Sequence, residues 1–219
     1  MNLIELIGVL EGRKKSIIEC GRRLYAAYNG IFLFDTYCTA LLNRSINLVD
    51  GFCSLAKADN YFSAFPMVRL HLDTLQRLYA IQLIEGDVDD ITSEILEGKA
   101  INKFKARESE GGSALTDKFL CDKVGALPGL EWVKDTYQAG NSFVHFSDKQ
   151  LISSMKVEDE GRAFQAAVAV GSPFIEEDEK KGACVRMTWL TDAILELVDT
   201  WSAQKATYPP RQRRQQEGS

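Results

Sequence analysis

Apolar positions in this chain recur mostly at helical spacing, and the densest such stretch, Ser63 to Glu85, is apolar around most of a 3.6-residue wheel. Met67, Val68, Leu70, Leu72, Leu75, Leu78, Tyr79, Ile81, Leu83 and Ile84 supply that surface, which predicts a buried central helix. Arg69, Asp73, Gln76 and Arg77 fall at i, i+4, i+7 and i+8, so they form one polar line along it. Charges on a helix that is mostly buried must be paired, because desolvating them alone is too costly.

Around this element the pattern predicts further helices. Residues 2–28 carry apolar positions at Leu3, Leu6, Ile7, Leu10, Ile17, Ile18 and Leu24, with Gly8, Gly12 and Gly21 implying close packing on a neighbour. A second helix starts at Asp35 as N-cap and runs to Tyr61, and Pro66 separates it from the central one. The acidic run at Asp87–Asp90 caps a helix over 91–105, residues 106–114 read as a polar mobile loop, and 116–127 as a short helix. Pro128 is the expected first residue of a helix through Phe146.

Between 153 and 170 the period changes to two. Met155 and Val157, then Phe164, Ala166, Val168 and Val170, alternate on either side of a turn at 158–162, so a small β-hairpin competes there with a short helix. A last helix runs from Glu176 or Glu177 to Gln204, and residues 206–219 read as a disordered basic tail. The expected fold is therefore all-α in the main, a multi-helix bundle over residues 1–205 forming one domain.

Composition narrows the function. The 219 residues are 45% hydrophobic and 26% charged, no apolar run is long enough for a membrane span, and the N-terminus lacks the order of a secretory signal. Cys20, Cys38, Cys53, Cys121 and Cys184 are scattered and odd in number, which points to reduced thiols as core filler in a cytoplasmic protein. Net charge is −5, and the body is more acidic still once the basic tail is set aside. RNA or nucleotide binding would therefore need a local basic site. No phosphate loop is present, neither histidine has a Glu three residues before it, and the acidic clusters read as helix starts, so no cofactor and no metal are expected.

Candidate chemistry lies on two polar lines. Tyr137, Asn141, His145 and Asp148 recur at near-helical spacing after Pro128. If that helix packs on the central one, Arg69 and Asp73 meet Tyr137, Asn141 and His145 in one pocket, with Arg77 and Ser147 as further binding residues. Taken singly, Arg69 with Asp73 reads as a structural pair, His145 as a helix C-terminal group, and His71 as a separate core histidine.

The phrases PMVRLHLDTLQRLYAI and YQAGNSFVHFS resemble those of a largely uncharacterised group of bacterial helical proteins, which carry an Arg-x-x-x-acid helix and a later Val-His-x-Ser/Thr. The matching residues are Arg69, Asp73, Tyr137, Val144, His145 and Ser147. That group is similar to the HEPN superfamily, some of whose members are metal-independent ribonucleases acting through an Arg followed four to six residues later by a His. Here that window holds Gln138, Ala139 and Gly140 and no Arg, with Asn141 in the polar place. The resemblance implies a HEPN-like domain that associates, as a homodimer or with a protein partner, in a bacterial defence or toxin-related system. The alternative is a ribonuclease or nucleotide-handling enzyme using His145 with Arg69, Asp73 and Tyr137. The homodimer is expected from the long apolar terminal helices with Trp189 and Trp201.

Overall fold

The structure is a computed structural model that describes all residues except 29, 146, 148–150, 159–162, 167, 206 and 208–219; of 157, 158, 163 and 164 only the backbone is described. The basic tail therefore lies outside the described residues, apart from Thr207. The described chain is mainly helical, with seven α-helices and one two-stranded sheet.

Helix α1, Leu3–Ala26, begins in a reciprocal cap: Glu5 N–H donates to Asn2 Oδ1 and Asn2 N–H to Glu5 Oε2, both at 2.9 Å. Of its glycines only Gly21 faces a neighbour, with its absent Cβ 3.8 Å from Leu42 Cδ1, while Gly8 and Gly12 look onto open space. Close packing is therefore not what places those two.

Helix α2, Leu33–Lys57, starts two residues before the expected cap. Asp35 stands inside the first turn, where its Oδ2 accepts the N–H of Phe32 at 3.0 Å. The break before the central helix falls at Asp59 (φ 53°), not at Pro66, and α3 runs Tyr61–Leu83 with Pro66 inside it. Its start is held from both sides: Asn60 Oδ1 accepts from Ser63 N–H, and the buried Ser172 hydroxyl accepts from Tyr61 N–H at 2.7 Å.

Arg107 closes the other end of α3 by donating from its side chain to Gln82 O and from its backbone to Leu83 O. The segment expected to be a mobile loop is thereby tied down, with a 3₁₀ turn at Glu108–Glu110 and a bridge between Lys105 and Ala114. Helix α4, Val88–Leu96, has Asp87 as its cap and stops far short of residue 105, because Gly98 takes φ 101° and ends the helix there. Helices α5, Asp117–Val124, and α6, Trp132–Val144, follow, and Pro128 lies in the turn ahead of α6 instead of opening it.

The hairpin forms as β1, Met155–Glu158, against β2, Ala163–Ala166, antiparallel with Met155 opposite Ala166. The alternation does not extend the strand to 170: Val168 and Val170 are almost fully exposed. Helix α7, Glu177–Lys205, completes the bundle.

Pairings fix the directions. Lys14 with Asp50 and Tyr25 with Thr39 set α1 antiparallel to α2; Arg44 near Leu70 and Tyr37 near Arg77 set α2 antiparallel to α3. Arg13 with Asp192 and Arg23 with Asp199 set α7 parallel to α1. One hydrophobic cluster runs from Ile7 to Trp201 and takes in all five cysteines, whose thiols are free. Burial pushes the Cys20 and Cys53 thiols up to about 12, so both are unreactive filler at neutral pH. No helix among the described residues is long and apolar enough to cross a membrane.

At the end where α1, α2 and α7 meet lies a fully buried ion pair. Lys205 Nζ is 3.1 Å from Asp35 Oδ2 and also donates to Leu24 O, and Asp35 Oδ1 accepts from Trp201 Nε1 at 2.8 Å. Lys205, which the sequence assigns to the edge of a solvated tail, is thus a core residue, and Trp201 is 5% exposed and committed to the interior. Removing one partner leaves a buried charge uncompensated. Asp35→Ala should destabilise the protein by about 3–5 kcal/mol and Lys205→Met by a smaller amount, with the double variant costing less than the sum; urea titration of the four proteins measures this.

Candidate functional site

The polar line of α3 meets α6, as the wheel positions require if the two helices pack. Arg69, 9% exposed, donates from Nε to Asn141 Oδ1 at 3.0 Å, and its guanidinium carbon lies 4.5 Å from the centroid of the Tyr137 ring. Close approach of the helices is made by Gly140: a Cβ there would sit 2.7 Å from Arg69 Cβ.

The remaining charges form a chain across three elements. Arg69 Nη2 donates to Asp117 Oδ2 at 3.3 Å, and the same carboxylate takes Arg77 Nη2 on Oδ1 at 2.5 Å. Arg77 also reaches Asp73 Oδ1 at 3.0 Å, and Asp73 Oδ2 is 3.1 Å from Arg44 Nη1. The expected Arg69–Asp73 pair is replaced by these contacts, since Arg before Asp at i,i+4 is the poorer order and Arg77 after Asp73 is the better one. Asp117, on the first turn of α5, and Arg44, on α2, are the members that sequence reasoning missed. A signal existed: two arginines on a buried line with one acid between them require a second carboxylate. Three guanidiniums and two carboxylates, half-buried, therefore fasten α2, α5 and α6 to α3.

His145 is not part of this arrangement. It is the exposed C-terminal cap of α6, its backbone N–H donating to Asn141 O at 3.0 Å, and among the described residues its side chain makes no hydrogen bond or ion pair with Arg69, Asp73 or Tyr137. Ser147 turns its hydroxyl onto Ser142 O at 2.8 Å, and Asp148 lies outside the described residues. Five of the sequence candidates, Arg69, Asp73, Arg77, Tyr137 and Asn141, thus share one network, in which Asp73 bridges Arg77 and Arg44, while His145 and Ser147 stand apart. Among the described residues no three His, Cys, Asp or Glu side chains are grouped to hold a metal ion.

The second feature is a cleft of mixed apolar and charged lining. Helices α6 and α7 both pack on α3, but scarcely on each other, and between them a cavity of about 330 Å³ is lined by Phe65, Val68, Gly140, Phe143, Gly182 and Arg186 among others. No protein-family model, curated protein or solved structure matches the chain.

The other histidine, His71, is fully buried between α3 and α7. Thr191 donates its hydroxyl to Met187 O at 2.8 Å, so it can only accept from His71 Nε2, 3.0 Å away. That fixes the Nε2–H tautomer and leaves Nδ1 without a partner among the described residues. Burial lowers the pKa of His71 to about 3, so the neutral ring is the folded form. The unfolded chain takes up the proton near pH 6.5; stability is therefore whole above that pH and drains away as pH falls toward 3. Between pH 7 and 5 the wild type should lose about 2 kcal/mol more than His71→Leu, read from urea midpoints at each pH.

Proposed function

We propose that this chain is a HEPN-like helical domain that works by association, as a homodimer, and not by cleaving RNA. The observation that carries the reading is the engagement of Arg69. A metal-independent ribonuclease needs a guanidinium free to meet the charge that develops on phosphorus, beside a histidine that moves a proton. Arg69 instead holds Asn141, Asp117 and the face of Tyr137, with His145 exposed beyond the end of α6. Its role in this reading is to lock helices together.

Association is supported by the outer face of α1 and α2. Ile18 is 48% exposed and Tyr25 43%, and a shallow apolar groove runs along Ile17, Ile18, Gly21, Leu42 and Ile46. Beside it Arg22 pairs with Glu19 at 2.8 Å, charges of opposite sign that a two-fold axis can cross-pair, Arg22 of one copy with Glu19 of the other. Trp201 takes no part, being interior; Trp189, 47% exposed, lies on a different face.

Light scattering at micromolar concentration should give a dimer, and Ile18→Asp should give a monomer that melts like the wild type. A wild-type monomer under these conditions removes the homodimer. In parallel, neither the wild type nor His145→Ala should cleave a mixed RNA pool; wild-type cleavage lost in a fully folded His145→Ala would place the ribonuclease reading first.

A further inference from the structure

We infer that the cleft between α6 and α7 is a binding site for a small aromatic acid, with Arg186 as the group that holds its carboxylate. The inference is independent of the association reading, because the cleft opens on the α3–α6–α7 side and the dimer groove lies on α1 and α2.

Directions set the shape of the cleft. Phe65 against Phe143 and Arg69 against Asn141 make α6 antiparallel to α3, whereas Tyr61 near Cys184 and His71 on Thr191 make α7 parallel to it. The two flanking helices therefore run in opposite directions over α3, touching at Trp132 and Trp189, whose rings lie 5.3 Å apart. Below that contact they part. The cavity of about 330 Å³ is within the range of small-molecule sites.

Its inner walls are apolar and partly aromatic. Phe65 and Phe143, centroids 4.3 Å apart and planes tilted by 35°, stand at one side with Val68 and Gly140, and these offer an apolar, partly aromatic wall to a ring. Gly182 forms the wall on α7. A Cβ added there would meet nothing within 4 Å, so packing does not demand glycine at this helical position, although glycine costs about 1 kcal/mol against alanine. What its bareness preserves is the volume of the cleft.

One turn further along α7, Arg186 lines the same cavity, and its half-buried guanidinium makes no hydrogen bond or ion pair with any described residue. Both arginines of α3, Arg69 and Arg77, are engaged, so the idle guanidinium of Arg186 on α7, at a partly apolar cavity, is a free anion site. The acids that also border the cleft lie at the opposite end. Asp178 is two helical turns from Arg186, about 12 Å along the axis, with its side chain 99% exposed, and Glu179 has contacts of its own. A carboxylate at Arg186 with its ring laid toward Phe65 and Phe143 satisfies both ends of the cavity.

The test uses the aromatic sulfonate dye 8-anilinonaphthalene-1-sulfonate with the full chain, followed by fluorescence, and phenylacetate as competitor. Dye binding should weaken about tenfold in Arg186→Gln, the loss of one charge-assisted contact, and vanish in Gly182→Leu, whose side chain fills the cavity and whose melting temperature is unchanged or higher. Lys15→Gln, with the same change of charge on an exposed stretch of α1, should bind as the wild type does. Phenylacetate should displace the dye and its neutral analogue benzyl alcohol should not. The inference is overturned by absence of wild-type binding, by wild-type affinity in Gly182→Leu, by wild-type affinity in Arg186→Gln, or by equal displacement with benzyl alcohol.

Discussion

The buried contact between Lys205 and Asp35 is the constraint on which the closure of the bundle depends. An ammonium and a carboxylate removed from water recover their hydration only if every donor and acceptor is met. Here Lys205 meets Asp35 and the carbonyl of Leu24 in the last turn of α1, and Asp35 meets Phe32 N–H and Trp201 Nε1 besides. These partners come from three helix ends, those of α1, α2 and α7, so the pair exists only when all three have arrived. Around it Phe32 and Phe34 present their edges to Trp201 at 5.4 and 5.0 Å, which excludes water and makes the geometry all or none. Solvation thus obliges the last turn of a long C-terminal helix to return to the start of the second.

With that end closed, α3 becomes the shared wall of everything else. It takes α2 on one side, α7 on another and α5 and α6 on a third, which is why it is apolar almost all round. Its one polar line had to be neutralised from outside, and Asp117 and Arg44 do so. The same arrangement leaves a consequence for function. Two helices that both lean on α3 and diverge from each other enclose a cleft, and the cleft, unlike the arginine network, retains a cation with no partner among the described residues. Saturated charges fasten; an unsaturated one can bind.

The helices themselves were legible in the pattern of residues, because burying an apolar stripe forces a 3.6-residue period, and the switch to period two at 155–166 marked the hairpin for the same reason. Ends were less legible. Asp35, Pro66 and Pro128 each carry a local preference that fits a helix start, yet tertiary partners moved the true starts to Leu33, Tyr61 and Trp132. Ser172 capping α3 from over a hundred residues away cannot be read from the neighbours of either residue.

Of the candidate site, the chain order alone determined that Arg69, Asp73 and Arg77 share a face and that Tyr137 and Asn141 share another, since helical spacing is a local property. Which carboxylate answers which guanidinium was decided only by packing: an ion pair is chosen by distance and burial, and both depend on residues far apart in sequence. His145 shows the limit most plainly. Its spacing from Asn141 continues the helical line, but α6 ends at Val144, the backbone turns extended at His145, and one change of dihedral takes the ring out of the network. Local sequence determines periodicity; where the period stops, and what then faces what, belongs to the folded chain.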